Sequence, residues 1–176
     1  MDNEQYKKRK SRNIVLISVI VLFTAVIILW FINDNGITRE GAGTIIHFTA
    51  NGEIIYEADM EYIKSFESET INAVIRSSGK KPVEAEYTGV LLTSLLGDMN
   101  IDIDGIAQIV VKGMDGYMIA IAIEEIKKDN IYIAYEMNGE PLKPREKNGN
   151  GPYQLLMPDD PDSQRWCKYV CEVEVK

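Results

Sequence analysis

The sequence predicts an α+β domain, mainly antiparallel or mixed β-sheet, behind one transmembrane helix. Three observations carry this. Ile14 to Ile32 is an unbroken apolar run of nineteen residues, with Ser18 and Thr24 its only weakly polar members. After it come eight short strand-like runs, several separated by Asn-Gly or Asp-Gly pairs that accept the positive φ of tight hairpin turns. Helical spacing is confined to three short stretches. Neighbouring strands joined by tight turns make antiparallel sheet.

At about 1.5 Å rise per residue, a helix over the apolar run covers the ~30 Å hydrocarbon core, with every backbone polar group satisfied inside the segment. Lys7-Lys8-Arg9-Lys10-Ser11-Arg12 precedes the run and Asn33-Asp34-Asn35-Gly36 follows it, which puts the N-terminus in the cytoplasm. Trp30 and Phe31 suit the outer interface. The expected organisation is a cytoplasmic basic stub (1–12), a transmembrane signal anchor (13–32), a linker (33–43) and an extracytoplasmic domain (44–176). A cleaved signal peptide shares the basic-then-apolar pattern. Its apolar core is shorter, about 7–15 residues, and it ends in a small-x-small cleavage site that is lacking here. No cysteine closes the run to take a lipid, and the basic stretch holds no Arg-Arg pair.

Of the 19 basic and 27 acidic residues, five and two lie in the stub, so the segment from Asn33 carries 14 basic against 25 acidic residues. That surplus repels nucleic acid and anionic head groups. Cys167 and Cys171 are the only cysteines. On a regular strand, at about 3.3 Å per residue, they would stand roughly 13 Å apart, beyond disulfide reach. The alternation of Val170, Val173 and Val175 favours strand, hence two separate thiols. A metal site would need further Cys or His partners, and the chain has one histidine, His47.

Along the domain, Thr44 to Thr49 and Glu53 to Glu57 flank Asn51-Gly52 as a hairpin. Asp59 caps a helix from Met60 to Phe66, with Glu61 in its first turn. Thr70 to Arg76 and Val83 to Tyr87 read as strands around a loop from Ser77 to Pro82. Leu91, Leu92, Leu95 and Leu96 recur at helical spacing, with Thr88 or Gly89 before them and Gly97 as the stop. Ile106 to Lys112 and Tyr117 to Ile121 are strands around Asp115-Gly116, a type I′-like signal. Ile123 to Lys128 allows a helical turn, Ile131 to Met137 is a strand ending at Asn138-Gly139, and Tyr169 to Val175 closes the chain as a strand.

Asn100-Ile-Asp102-Ile-Asp104-Gly105 opens like a calcium loop, but its twelfth position, Val111, offers no carboxylate, so an acidic connecting loop is expected. Met157 to Asp162 reads as a solvated loop. The chain carries no phosphate loop, dinucleotide fingerprint, zincin helix or nucleophile elbow, and a triad on His47 would rest on its presence alone.

Five pieces in register are more informative. They are Tyr87-Thr-Gly89-Val90-Leu91 with Leu95-Leu96, Val110 with Asp115-Gly116-Tyr117, Ala134-Tyr135 to Leu142, Gly151-Pro152-Tyr153-Gln154 to Pro158, and Lys168 to Val175. From about Thr44 to the C-terminus the chain resembles the molybdopterin-binding oxidoreductase domain of the sulfite oxidase family, as a divergent, membrane-anchored bacterial member. The resemblance implies that family's mixed, largely β fold. It also implies a cofactor groove lined here by Arg76, Ser77, Ser78, Asp115, Tyr117, Tyr153, Gln154 and Lys168. In the family a cysteine thiolate ligates molybdenum just after the strand that precedes the Tyr-x-Gly-Val segment. The matching stretch here, Thr70 to Gly79, has no cysteine, and a serine hydroxyl does not imitate a soft anionic ligand. Gln154 stands where the family keeps an arginine near the pterin, and a neutral amide lacks the charged fork. Lys168 matches a basic position. Exported members generally receive their pterin before folded passage by the twin-arginine route, so an anchored chain without the Arg-Arg pair is expected to arrive empty.

The expectation is a single-pass membrane protein whose extracellular domain has the molybdopterin-oxidoreductase fold and lacks the molybdenum-ligating cysteine. It would hold no metal or cofactor and act as a ligand-binding or interaction module; molybdopterin is the cofactor the resemblance allows. Two alternatives stand beside it: an active molybdopterin-dependent oxidoreductase with a non-thiolate metal ligand, and a structural partner domain of a membrane complex. The expected partners are the membrane itself, an anionic small molecule or a membrane protein, and not nucleic acid. No catalytic residue is assigned.

Overall fold

The computed structural model describes residues 24, 44–76, 79–161 and 163–176. The chain divides into two units, Met1–Glu40 and Gly41–Lys176, and the fold described is that of the second. Apart from Thr24, the expected transmembrane helix lies outside the described residues, as do Ser77 and Ser78. Among the described residues no helix is long and apolar enough to cross a membrane.

The domain is mostly β-structure with few, short helices. Its strands are β1 (Ile46–Ala50), β2 (Glu53–Ala58), β3 (Glu69–Ile75), β4 (Val83–Leu91), β5 (Gln108–Gly113), β6 (Met118–Ala122), β7 (Tyr132–Met137), β8 (Glu140–Pro141), β9 (Gln154–Leu156) and β10 (Val170–Val175). The helices are α1 (Met60–Lys64), α2 (Leu92–Asp98) and α3 (Ile123–Ile126). One sheet runs β2-β1-β10-β5-β6; the other runs β3-β4-β7-β8, with β9 also paired to β7. All pairings are antiparallel except β1 with β10, where Phe48 lies beside Val173 and Ala50 beside Val175. That parallel pair joins the first and last strands, so the C-terminal segment is central to its sheet. Phe48, Ile109, Val111 and Val173 of this sheet are buried and share one core cluster with Leu92, Leu95 and Leu96 of α2.

Local rules account for most elements. Asp59 accepts the Tyr62 N–H at 2.8 Å, as an N-cap should. Asn51 and Gly52 take φ of +53° and +82°, and Asn138 and Gly139 take +55° and +78°, so both Asn-Gly pairs form the doubly left-handed hairpin turn. On β10 Val173 and Val175 are buried, while Glu172 and Glu174 face outward to share Lys112 Nζ, each at 2.9 Å.

Four expectations are corrected. Asp115-Gly116 is not a type I′ turn, because only Gly116 has positive φ, at +86°. The Gly116 N–H donates to Gly113 O at 3.0 Å, giving a tight turn followed by one left-handed residue. Strand β4 does not stop at Tyr87 but continues through Gly89 to Leu91, and the helix starts only at Leu92. A Cβ on Gly89 would stand 2.8 Å from Ile133 O and 2.9 Å from Ala134 Cα, so glycine serves close strand approach there, not helix entry. Gly97 is inside α2, and Asn100, at φ +54°, ends it. The Ile101 N–H donates to Leu96 O and the Asn100 N–H to Gly97 O, both at 3.0 Å, which is a Schellman stop. That role, with Asp102 accepting the Asp104 N–H at 3.0 Å, makes the calcium-like stretch a capped connection. Finally, Tyr169 is left-handed at φ +55° and the β10 register shifts between Val170 and Glu172, so the segment bearing the cysteines is not a regular strand.

Candidate ligand pocket

A cavity of about 300 Å³ opens where the end of β3, the middle of β4, the start of β9 and the segment 163–168 meet. Ile75 and Arg76 come from β3 and its exit, Tyr87 from β4 and Gln154 from β9; Asn150, Ser163, Gln164, Trp166 and Lys168 complete the lining. Hydrogen bonds fix this wall. Ser163 Oγ accepts the Arg76 N–H at 2.7 Å and donates to Val74 O at 3.2 Å, stitching the 3-10 turn Ser163–Arg165 to β3. Trp166 Nε1 donates to Met157 O at 3.0 Å, and its ring meets that of Tyr87 edge-on with centroids 6.1 Å apart. Arg165 Nη1 reaches Glu125 Oε2 at 2.8 Å and Asp160 Oδ1 at 2.9 Å, and the guanidinium holds the Glu125 carboxyl below the usual carboxylate range.

Two buried polar atoms are left over inside this frame. Tyr87 is 0% exposed and Gln154 2% exposed, yet Tyr87 Oη and Gln154 Oε1 have no hydrogen-bond partner. Burial pushes the Tyr87 phenol upward, so it stays neutral and keeps a proton to donate. Arg76 and Lys168, both exposed, add two cations to the lining.

Of the groove residues expected from sequence, Arg76, Gln154 and Lys168 come together around this cavity. Tyr153 does not: it is fully buried and its hydroxyl donates to Thr44 O at 2.8 Å. Asp115 and Tyr117 sit at the β5–β6 turn, where Asp115 Oδ1 accepts the Tyr117 N–H at 3.1 Å. Tyr117 approaches the lining only through its hydroxyl, which donates to Gln164 O at 2.8 Å. Ser77 and Ser78 are outside the described residues. Sequence reasoning missed Tyr87, Asn150, Ser163, Gln164 and Trp166 as lining residues. Tyr87 opens the Tyr-x-Gly-Val piece, and its place near Gln154 depends on β4 and β9 both pairing with β7, contacts distant in sequence.

Both cysteines are free thiols turned to backbone carbonyls: Cys167 Sγ lies 3.6 Å from Lys168 O and Cys171 Sγ 3.5 Å from Lys112 O. Burial pushes the Cys167 thiol up to about 12, far from the thiolate state at neutral pH. Iodoacetamide at pH 8 should therefore spare Cys167 in the folded protein, and both cysteines should alkylate under denaturing, non-reducing conditions. Mass spectrometric recovery of a Cys167–Cys171 disulfide would contradict the free-thiol arrangement. Among the described residues no group of three or more His, Cys, Asp or Glu side chains is placed to hold a metal ion.

The family model for the oxidoreductase molybdopterin binding domain matches residues 48–176. The chain belongs to this family. Among solved structures, the sulfane dehydrogenase SoxCD from Paracoccus pantotrophus is similar with a TM-score of 0.62 and 18% identity, over 77% of this chain. That likeness shows a shared fold, and the match spans only 39% of the other chain's length. No curated protein matches the sequence.

Against the cofactor for which the molybdopterin-binding family is described, the pocket's chemistry divides. Gln154 Oε1 and Tyr87 Oη suit the N–H and carbonyl edge of a flat heterocycle, and Arg76 and Lys168 suit its phosphate. The described lining residues offer no soft donor for a metal: they include no thiol and no imidazole.

Proposed function

We propose that this is a membrane-anchored extracytoplasmic protein whose molybdopterin-type domain lacks the metal-ligating cysteine and binds an anionic small molecule in the pocket. The two unsatisfied atoms, Tyr87 Oη and Gln154 Oε1, carry the reading. An unpaired buried polar group costs about 1–3 kcal/mol, and a ligand that satisfies it recovers that free energy. The two cations at the lining supply the preference for negative charge. Without a soft donor, no redox step is assigned to these side chains; they bind and orient.

Elemental analysis of the natively expressed, full-length protein should find molybdenum well below one atom per chain. Stoichiometric molybdenum would overturn the reading in favour of an active oxidoreductase. For binding, guanosine 5′-monophosphate is a suitable probe, because it joins a flat N–H-bearing ring to a phosphate. In calorimetric titration Lys168→Ala should weaken it by about 1.5–3 kcal/mol, the range for hydrogen bonds to charged groups, and Gln154→Ala by about 1 kcal/mol. Equal and negligible losses would remove the site from this pocket.

A further inference from the structure

We propose that the outer edge of β2, with the aromatic cluster beside it, docks an extended polypeptide segment of a partner protein that is apolar at its centre and basic at both ends. This rests on the strand's surroundings and not on the pocket.

Strand β2 ends its sheet, and no described strand pairs with its outer side. Five of its six residues are exposed, and only Ala58 is buried. Because successive side chains point to opposite faces, the strand is uncovered on both faces as well as along its edge. Ile54 is 56% exposed, Ile55 48% and Tyr56 37%, a run of large apolar groups facing water. Edge strands are ordinarily guarded by charged side chains, proline or a bulge; Glu53–Ala58 has no lysine or proline, and its guards are Glu53, Glu57 and the bulge at Ile55, which leave the apolar run between the two carboxylates open. Tyr56 continues the apolar surface toward α1: its ring lies 4.9 Å from that of Tyr62, which lies 5.1 Å from Phe66.

Charge selects the occupant. Glu53 and Glu57 bracket the apolar run, and Asp59 and Glu61 follow, all exposed. His47, beside Glu57 in the β1–β2 pair, has its Nδ1 3.2 Å from the Glu57 carboxylate, and Lys64 Nζ of α1 is 3.3 Å from Glu136. A second copy fits poorly. Antiparallel pairing about Ile55 would bring the Glu53 end of each copy to the Glu57 end of the other, and like charges brought together are unfavourable. The register shift between Phe48 and Thr49 also leaves Ile55 bulged, so two copies would bring bulge against bulge. Nucleic acid and anionic membrane are repelled by the same carboxylates. A strand with basic ends meets Glu53 and Glu57 while its centre covers Ile54, Ile55 and Tyr56.

The test uses the full-length chain and a labelled peptide with a Val-Ile-Val centre and lysines at both ends. Fluorescence anisotropy should show binding roughly tenfold tighter than for the glutamate-ended peptide, as expected from two opposite-charge pairs exchanged for two repulsive ones. Hydrogen exchange of β2 amides should slow on binding while that of β6 does not. The double variant Glu53→Lys, Glu57→Lys, checked for native circular dichroism, should invert the peptide preference. Equal binding of the two peptides, unchanged exchange in β2, or a preference that survives the charge reversal would overturn the proposal. So would a concentration-dependent dimer in sedimentation that Ile55→Lys abolishes, since the occupant would then be a second copy.

Discussion

Replacing Tyr87 by phenylalanine should stabilise the ligand-free protein and weaken ligand binding. The ring is wholly buried, so its packing against Trp166 at 6.1 Å survives the change. What is lost is a hydroxyl with no partner, whose desolvation the fold bears uncompensated. Removing it should raise the unfolding free energy by about 1–3 kcal/mol, read from denaturant titration. In the presence of guanosine 5′-monophosphate the order should reverse, since the ligand stabilises in proportion to its occupancy of the native state. A hydroxyl serving the fold alone gives the opposite sign: if Tyr87→Phe destabilises the ligand-free protein, the pocket loses its main support.

The fold shows in the sequence more fully than the pocket does. Among the described residues, periodicity and turn chemistry located the three α-helices and eight of the ten strands. The missed β8 and β9 are two and three residues long, too short to show a period. Strand β9 is held by pairing to β7 and by the Leu155 N–H donating to Cys167 O at 2.8 Å, contacts remote in sequence. Gly89 and Gly97 mislead for one reason: a glycine beside a helical run looks like punctuation, whereas Gly89 serves close strand approach and Asn100 supplies the left-handed stop. The site was legible only through resemblance, which supplied Arg76, Gln154 and Lys168 of the lining. Tyr153 shows the limit of that route. It neighbours Gln154, yet it lies just before β9, fully buried, and its hydroxyl donates to Thr44 O.

Trp166→Ala should cost about 3–5 kcal/mol of stability, the range for deleting a buried large aromatic. For a domain whose net stability is of order 5–15 kcal/mol, this removes a large share of it. Two connections fail together: the edge-on contact with Tyr87 and the 3.0 Å bond from Nε1 to Met157 O. The indole joins the loop after β9 to the segment that presents Lys168, so the loss spreads to the pocket wall. Trp166→Phe separates the two effects. It keeps an aromatic ring against Tyr87 but removes the indole N–H from Met157 O, which still accepts the Asp160 N–H at 3.0 Å, so a smaller loss of about 0.5–1.5 kcal/mol is expected. If the ring alone shapes the wall, the phenylalanine variant retains binding of guanosine 5′-monophosphate in proportion to its folded fraction. If the Met157 bond sets the position of Lys168, affinity falls further than stability does. Calorimetry and denaturant titration on the same two variants distinguish these outcomes, because only the second moves affinity without a matching change in unfolding free energy.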